Sequence, residues 1–257
     1  MNLLLEAPLL VSPVLFVALL GCLVLGRRLG VRDAASGTEL GGVGTIDGAV
    51  FALLGLLIAF SFSGAAERFE RRRTLIVHEA NAIGTAYFRL DVLPPPTQPA
   101  LRESFRRYVD ARLAIYRAIP DVAAVREATR RADALQDEIW KQAVSACQAS
   151  QGWRPDQVVL PAINEMIDIT TTRAMALETH PPVIIYVMLF ALALVSSVLA
   201  GYAMAGGARA RRLHTTAFAL VLTSTVYVIV DLEYPRGGLI RVDAADQLLV
   251  DVREKMR

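Results

Sequence analysis

The sequence predicts an all-α integral membrane protein, four transmembrane helices in two hairpins with a helical region between them. Three observations carry that prediction. Of 257 residues, 54% are hydrophobic and 20% charged, yet the charge is unevenly placed. Positions 7–26, 48–66, 183–208 and 213–230 contain no Lys, Arg, Asp or Glu, and each window is near the ~20 residues that cross a ~30 Å hydrocarbon layer as helix. The rest of the chain is rich in helical periodicity and almost free of strand signals. A soluble enzyme would spread charge along every surface helix, so that class is excluded.

The first span, 7–26, is closed by Arg27, Arg28 and Arg32. A glycine-rich connection with Gly37, Gly41, Gly42 and Gly44 leads to the second span, about 45–66, with Asp47 near its entrance. From Glu67 to Leu93 there is no proline and one glycine. The second helix is therefore expected to run on out of the bilayer until Pro94-Pro95-Pro96 stops it.

A helix over about 99–119 presents Leu101, Phe105, Tyr108, Leu113 and Tyr116 near one face, and Pro120 breaks it. Over 121–149, Val122, Val125, Ala132, Leu135, Ile139 and Val144 repeat at helical spacing. After the loop at Gly152-Trp153-Arg154-Pro155-Asp156, Pro161 is expected in the first turn of a last helix reaching Thr179. Pro181-Pro182 breaks the chain before the third span, and Arg209, Arg211 and Arg212 mark the turn into the fourth. The resulting division is 1–66, first hairpin; 67–181, helical extramembrane region; 182–230, second hairpin; 231–257, C-terminal tail.

Composition bounds the function further. A net charge of +2 and the lack of a basic stripe exclude nucleic-acid binding. Cys22 and Cys147 lie in unlike surroundings with no metal-ligand spacing. Leu19-Leu20-Gly21-Cys22 resembles a lipoprotein cleavage box, but residues 1–10 carry Glu6 as their one charge, not a basic start. A thiol packed in a membrane helix is the preferred reading of Cys22. His78, His180 and His214 are isolated, and no nucleophile–base–acid set can be assembled, so no enzyme is expected. His180 reads as a helix-end residue, and His78 and Glu79 as solvated or subunit-contact positions.

Two regions have functional content. In the second span, Leu54, Ile58 and Phe62 are four apart and are expected on one face, where a ring of subunits would make a hydrophobic constriction. At the exit of the fourth, Asp231 and Glu233 stand next to Pro and Gly turns. Such a pair can hold a hard cation, though an ion pair with Arg71–Arg73 or Arg236 is the preferred outcome. Asp47, an ionisable group at a window edge, is a further candidate. Arginine counts near the bilayer, six against seven on the two sides, leave orientation tied.

The chain also carries a set of motifs: Arg68-Phe69-Glu70-Arg71-Arg72-Arg73 with His78-Glu79-Ala80-Asn81, Ile163-Asn164-Glu165-Met166-Ile167-Asp168 with Arg173, and Asp231-Leu232-Glu233-Tyr234-Pro235-Arg236-Gly237-Gly238. In these it resembles a bacterial membrane family described as bestrophin-like, across most of 45–250, with Arg68, Arg71, Arg72, Glu79, Asn81, Asn164, Asp168, Pro235 and Gly237 as its motif residues. Bestrophins are pentameric anion channels with four spans and a large cytosolic helical region between the second and third. The resemblance thus implies a homo-oligomer, a pentamer, in the lipid of a bacterial inner membrane. It implies a pore along the second helix with Leu54, Ile58 and Phe62 at its neck, and inorganic anions such as chloride as permeant ions. It places 67–181 and both termini in the cytosol. Asp231 and Glu233 would fall where bestrophins bind regulatory calcium, but this chain lacks the dense acidic run of that site, so no cofactor is expected. The alternative function is a non-conducting membrane scaffold or signalling protein whose helical region binds a cytosolic partner.

Overall fold

A computed structural model describes residues 7–36, 43–119, 121–150, 154–205, 212–234, 238–240 and 242–256. Among these there are eight α-helices and no strand, so the all-α plan stands. They are α1 (Ala7–Ala35), α2 (Val43–Arg89), α3 (Gln98–Arg117), α4 (Val122–Gln148), α5 (Asp156–Glu178), α6 (Val183–Ala203), α7 (Arg212–Glu233) and α8 (Asp243–Lys255). Four helical stretches are long and apolar enough to cross a membrane, and they run along α1, α2, α6 and α7. The chain is a multi-pass membrane protein.

The expected continuation of the second helix is present. α2 is 47 residues long, about 70 Å at 1.5 Å per residue and more than twice the hydrocarbon thickness. It ends ahead of Pro94, because the chain tightens into a 3₁₀ turn at Leu90–Val92 before the prolines. α4 starts where Asp121 accepts hydrogen bonds from the amides of Ala123 and Ala124, an N-cap that supplies two orphan donors with an acceptor. Two expectations are corrected. Pro161 lies in the second turn of α5, because that helix starts at Asp156. The C-terminal segment, expected as a tail, forms α8 because Leu249 and Met256 find an apolar core. Gly37, Gly41, Gly42, Pro120, Gly152, Trp153, Arg209, Arg211, Arg236 and Arg241 lie outside the described residues.

The chain divides into two compact units. The membrane unit holds the residues up to Phe69 together with His180–Ile240. Its core joins Leu15, Leu19 and Leu23 of α1 to Leu189 and Ala193 of α6 and Val226 and Ile229 of α7. Glycines let α1 and α6 touch backbone to backbone. A Cβ on Gly26 would run into the carbonyl of Val198, and one on Gly201 into that of Leu23, the close approach that small residues permit in a bilayer. Beyond them Tyr202 donates to Asp33 at 2.8 Å.

The second unit holds Glu70–Thr179 and α8. Ile83, Tyr87 and Leu90 of the α2 region pack with Phe105 and Tyr108 of α3, Ile139 of α4, Ile163 and Met166 of α5 and Leu249 of α8. The apolar face expected for α3 is the one buried, apart from Tyr116, which is half-buried.

Candidate functional site

The membrane part of α2 buries one narrow face. Asp47, Leu54 and Ala65 are buried, Ile58 is half-buried against them, and the Phe51 ring meets Phe218 edge-on with centroids 6.4 Å apart. The other side carries exposed apolar side chains, among them Leu53 (56% exposed), Leu56 (52%) and Phe60 (68%). Leu54, Ile58 and Phe62 therefore do not share a face. Leu54 is 4% exposed inside the unit and Phe62 45%. The reason is helical drift: each four-residue step overshoots a turn by about 40°, so eight residues carry the line from the packed side to the open one. Leu53, Leu56 and Phe60, spaced three and four, stay together. Asp47 faces the packed side, and its Oδ1 has no hydrogen-bond partner.

At the exit of α7 the two carboxylates are both buried and serve different partners. Asp231 Oδ2 accepts the amides of Leu239 and Ile240, each at 3.0 Å. A Cβ on Gly238 would collide with the Asp231 carboxylate, so the turn needs glycine there. Glu233 accepts from Arg68 Nε, while its other oxygen is 3.2 Å from His180 Nδ1. His180 stacks on Tyr234 at 5.0 Å. Glu233 pairs with Arg68, one turn before the Arg71–Arg73 cluster expected for it, and Arg236, the other expected partner, lies outside the described residues. His180, at the end of its helix as expected, is a third member of the cluster.

Calcium takes six to eight oxygens, and of the four carboxylate oxygens here one, Asp231 Oδ1, is buried with no hydrogen-bond partner. Asp231 Oδ2 already holds two N–H groups, and both oxygens of Glu233 are engaged by nitrogen donors. Among the described residues no group of three or more His, Cys, Asp or Glu is placed to hold a metal.

In the second unit, Glu79 is the centre of a buried network rather than a solvated position; His78 beside it is exposed. The cause is register, since Arg72, Ile76, Glu79, Ile83 and Ala86 recur at helical spacing on the side of α2 that faces the core. Arg112 Nε donates to Glu79 at 2.6 Å and Arg173 donates to the other oxygen. Tyr116 accepts from Arg112 Nη2 at 2.9 Å, and its ring lies 4.7 Å beneath the Arg173 guanidinium.

Burial alone would raise the Glu79 pKa, but the charges and hydrogen bonds of Arg112 and Arg173 outweigh it and hold the carboxyl below its usual value. Burial, reinforced by that carboxylate, pushes the Tyr116 phenol up to about 12. Burial likewise raises Tyr108, whose hydroxyl accepts from Gln136 at 3.1 Å. These charge states suit a permanent structural clasp of α2, α3 and α5.

The remaining motif residues separate into roles. Arg72 donates to the carbonyls of Ala176 and Thr179, both at 3.1 Å, satisfying the orphan end of α5. Asn164 donates to Asp168 at 2.7 Å along an exposed face. Arg71 is exposed, and Asn81 lines an open groove of about 470 Å³ between α2 and α8. Pro235 and Gly237 lie outside the described residues. Sequence patterns alone do not single out Arg112, although Tyr108, Arg112 and Tyr116 fall four apart, which places an arginine on the buried stripe of α3.

A family model described as a bestrophin-like domain matches residues 14–246. No curated protein matches the chain. Among solved structures, the chain is similar to a tyrosine-to-alanine mutant of a bacterial bestrophin homolog from Klebsiella pneumoniae. The identity is 15%, the TM-score 0.66, and the match covers 92% of this chain and 98% of that one. At that identity the likeness is one of fold.

Proposed function

The chain belongs to the bestrophin-like family, and from that premise we propose that it forms an oligomeric ion channel of the bacterial inner membrane. Its permeant ions are inorganic anions such as chloride, its assembly is a pentamer, and the extramembrane unit is cytosolic. Each protomer lines the pore with the membrane part of α2. Family membership and the bestrophin homolog's fold support the class of function.

One observation of this chain carries the pore assignment. Leu53, Leu56 and Phe60 are more than half exposed on a charge-free helix whose opposite face is packed inside the protomer. Around a central axis such side chains form a hydrophobic constriction that opens and closes to ions by wetting and dewetting. Leu54 is taken up by packing within the protomer, so the neck is assigned to Leu53, Leu56 and Phe60. Phe62, 45% exposed, lies on the other flank of α2.

Halide flux into liposomes holding the purified full-length protein tests the function. Flux above empty liposomes, with chloride exceeding sodium, is the expected result. Absence of flux for either ion would overturn the channel and leave the scaffold reading.

A further inference from the structure

We propose that the membrane unit holds an acidic phospholipid in a lateral groove between α2 and the second hairpin, with its phosphate on Arg68. The proposal rests on the chain being a membrane protein and does not depend on ion conduction.

The groove, about 150 Å³, is lined by Leu57, Phe60, Ser61, Gly64 and Arg68 of α2, Pro181, Ile185 and Tyr186 at the start of α6, and Ile229 of α7. Its polarity is graded. Leu57 makes the deep end apolar, Ile185 and Ile229 line the wall about one helical turn below Pro181 and Glu233, and Arg68 stands at the other end. Leu57 follows Leu53 by four residues, about 40° around the helix, so the groove adjoins the proposed pore face and the two share Phe60 as the ridge between them.

Depth fixes which part of a lipid would meet each end. The charge-free window of α2 ends at Ala66 and that of α6 begins at Val183. Arg68 and Pro181 lie just outside them, at headgroup level. From Arg68 to Leu57 is eleven residues, about 16 Å of helix, close to half of a ~30 Å hydrocarbon core. The groove therefore matches the acyl chain of one leaflet with its headgroup at Arg68.

The chemistry of the upper end selects an anion. Arg68 spends Nε on Glu233. Its terminal nitrogens lie over Gly64, where an added Cβ would sit 3.1 Å from Nη1, and the side chain is 26% exposed. The guanidinium carries five donors in a fixed fork, a geometry that suits a phosphate. Glu233, its side chain 0% exposed, has both oxygens engaged by Arg68 and His180 and is not among the residues that line the groove. Glu67 is about 100° around the helix from Arg68. Two turns deeper, the buried hydroxyl of Ser61 has no hydrogen-bond partner, leaving a donor for a lipid ester carbonyl. Glycine at 64 keeps the path between the two open.

Native mass spectrometry of the full-length protein tests this, after exchange into detergent with equal phosphatidylglycerol and phosphatidylcholine. Phosphatidylglycerol should be retained about five-fold over phosphatidylcholine, the factor that one basic side chain contributes at a membrane surface. Arg68→Gln should erase the preference and Arg68→Lys restore most of it. Ile185→Trp, which fills the apolar wall of the groove below the Arg68–Glu233 pair without removing either partner, should reduce retention of phosphatidylglycerol to the level of phosphatidylcholine. Equal retention of the two lipids by the unaltered protein would overturn the proposal. So would an acidic-lipid preference that survives both Arg68→Gln and Ile185→Trp, since the lipid would then bind elsewhere.

Discussion

The two units hold α2 by different means. In the extramembrane unit its buried stripe carries a charge as well as apolar side chains: Ile83 and Ala86 are fully buried, as is Leu90 just beyond its end, and Glu79 is enclosed by two guanidiniums and a phenol, while Val77 and Phe88 stay exposed on the same stretch. In the membrane unit one stripe is packed and Leu53, Leu56 and Phe60 stand out. The buried carboxylates repeat the contrast. Glu79 has partners that are themselves buried, whereas the partners of Glu233 reach solvent, Arg68 at 26% and His180 at 33% side-chain exposure. The carboxylate of one unit is closed off by buried partners, and that of the other is held by partners that reach the surface.

The largest expected effect breaks the enclosed Glu79 network. Glu79→Gln leaves Arg112 and Arg173 buried without a counter-charge and should cost about 3–5 kcal/mol. Thermal unfolding followed at Trp140, which packs against that core, should shift down by roughly 10 °C or more. A shift within a degree or two would mean the network contributes nothing.

Next in size is the packed face of the membrane unit. Leu54→Ala should cost about 2 kcal/mol through lost packing, while Leu56→Ala, at an exposed position, should cost under about 0.5 kcal/mol. Equal losses, read as melting of the detergent-solubilised protein, would remove the distinction between the two faces. Glu233→Gln should cost about 1–2 kcal/mol, less than Glu79→Gln, because Arg68 and His180 can turn to water.

Acid and base act on the extramembrane unit through its buried network. The Glu79 pKa is lowered from 4.5 in the folded state. Its contribution is therefore complete above pH 4.5 and lost as pH falls through the lower, folded value. Tyr116 is raised from 10.0 to about 12, so its contribution is complete below pH 10 and lost as pH climbs towards 12. The extramembrane unit should stay folded between these limits, checked by circular dichroism against pH. Unfolding that begins near pH 6 would contradict the assignment.

Much of this architecture is legible in the pattern of charge and proline. Four charge-free windows locate α1, α2, α6 and α7 because a bilayer tolerates so little charge, and Pro94–Pro96 and Pro181-Pro182 punctuate the helices by removing amide donors. The charged positions are less legible. An acidic residue and its arginine partners can be separated by 33 and 94 positions, as Glu79 is from Arg112 and Arg173, and nothing local announces such a pairing. The same holds for Arg68 and Glu233, 165 apart. Leu54 defeats the pattern for a different reason: four-residue spacing marks neighbours over one step but not over two. α8 is hard to read because its apolar positions are few, and its helix closes on a core supplied by α3, where Arg253 pairs with Asp110 at 2.8 Å.

The open stripe of α2, and not its packed stripe, is the one assigned to meet the ions. Planar-bilayer recordings of the full-length protein with Leu56→Ala and with Leu54→Ala test that assignment most directly. Leu56→Ala should raise unitary conductance or opening, with the protein's melting little changed. Leu54→Ala should lower the yield of folded protein while its surviving channels conduct as the unaltered protein does. Unchanged currents in Leu56→Ala together with altered unitary conductance in Leu54→Ala would contradict it.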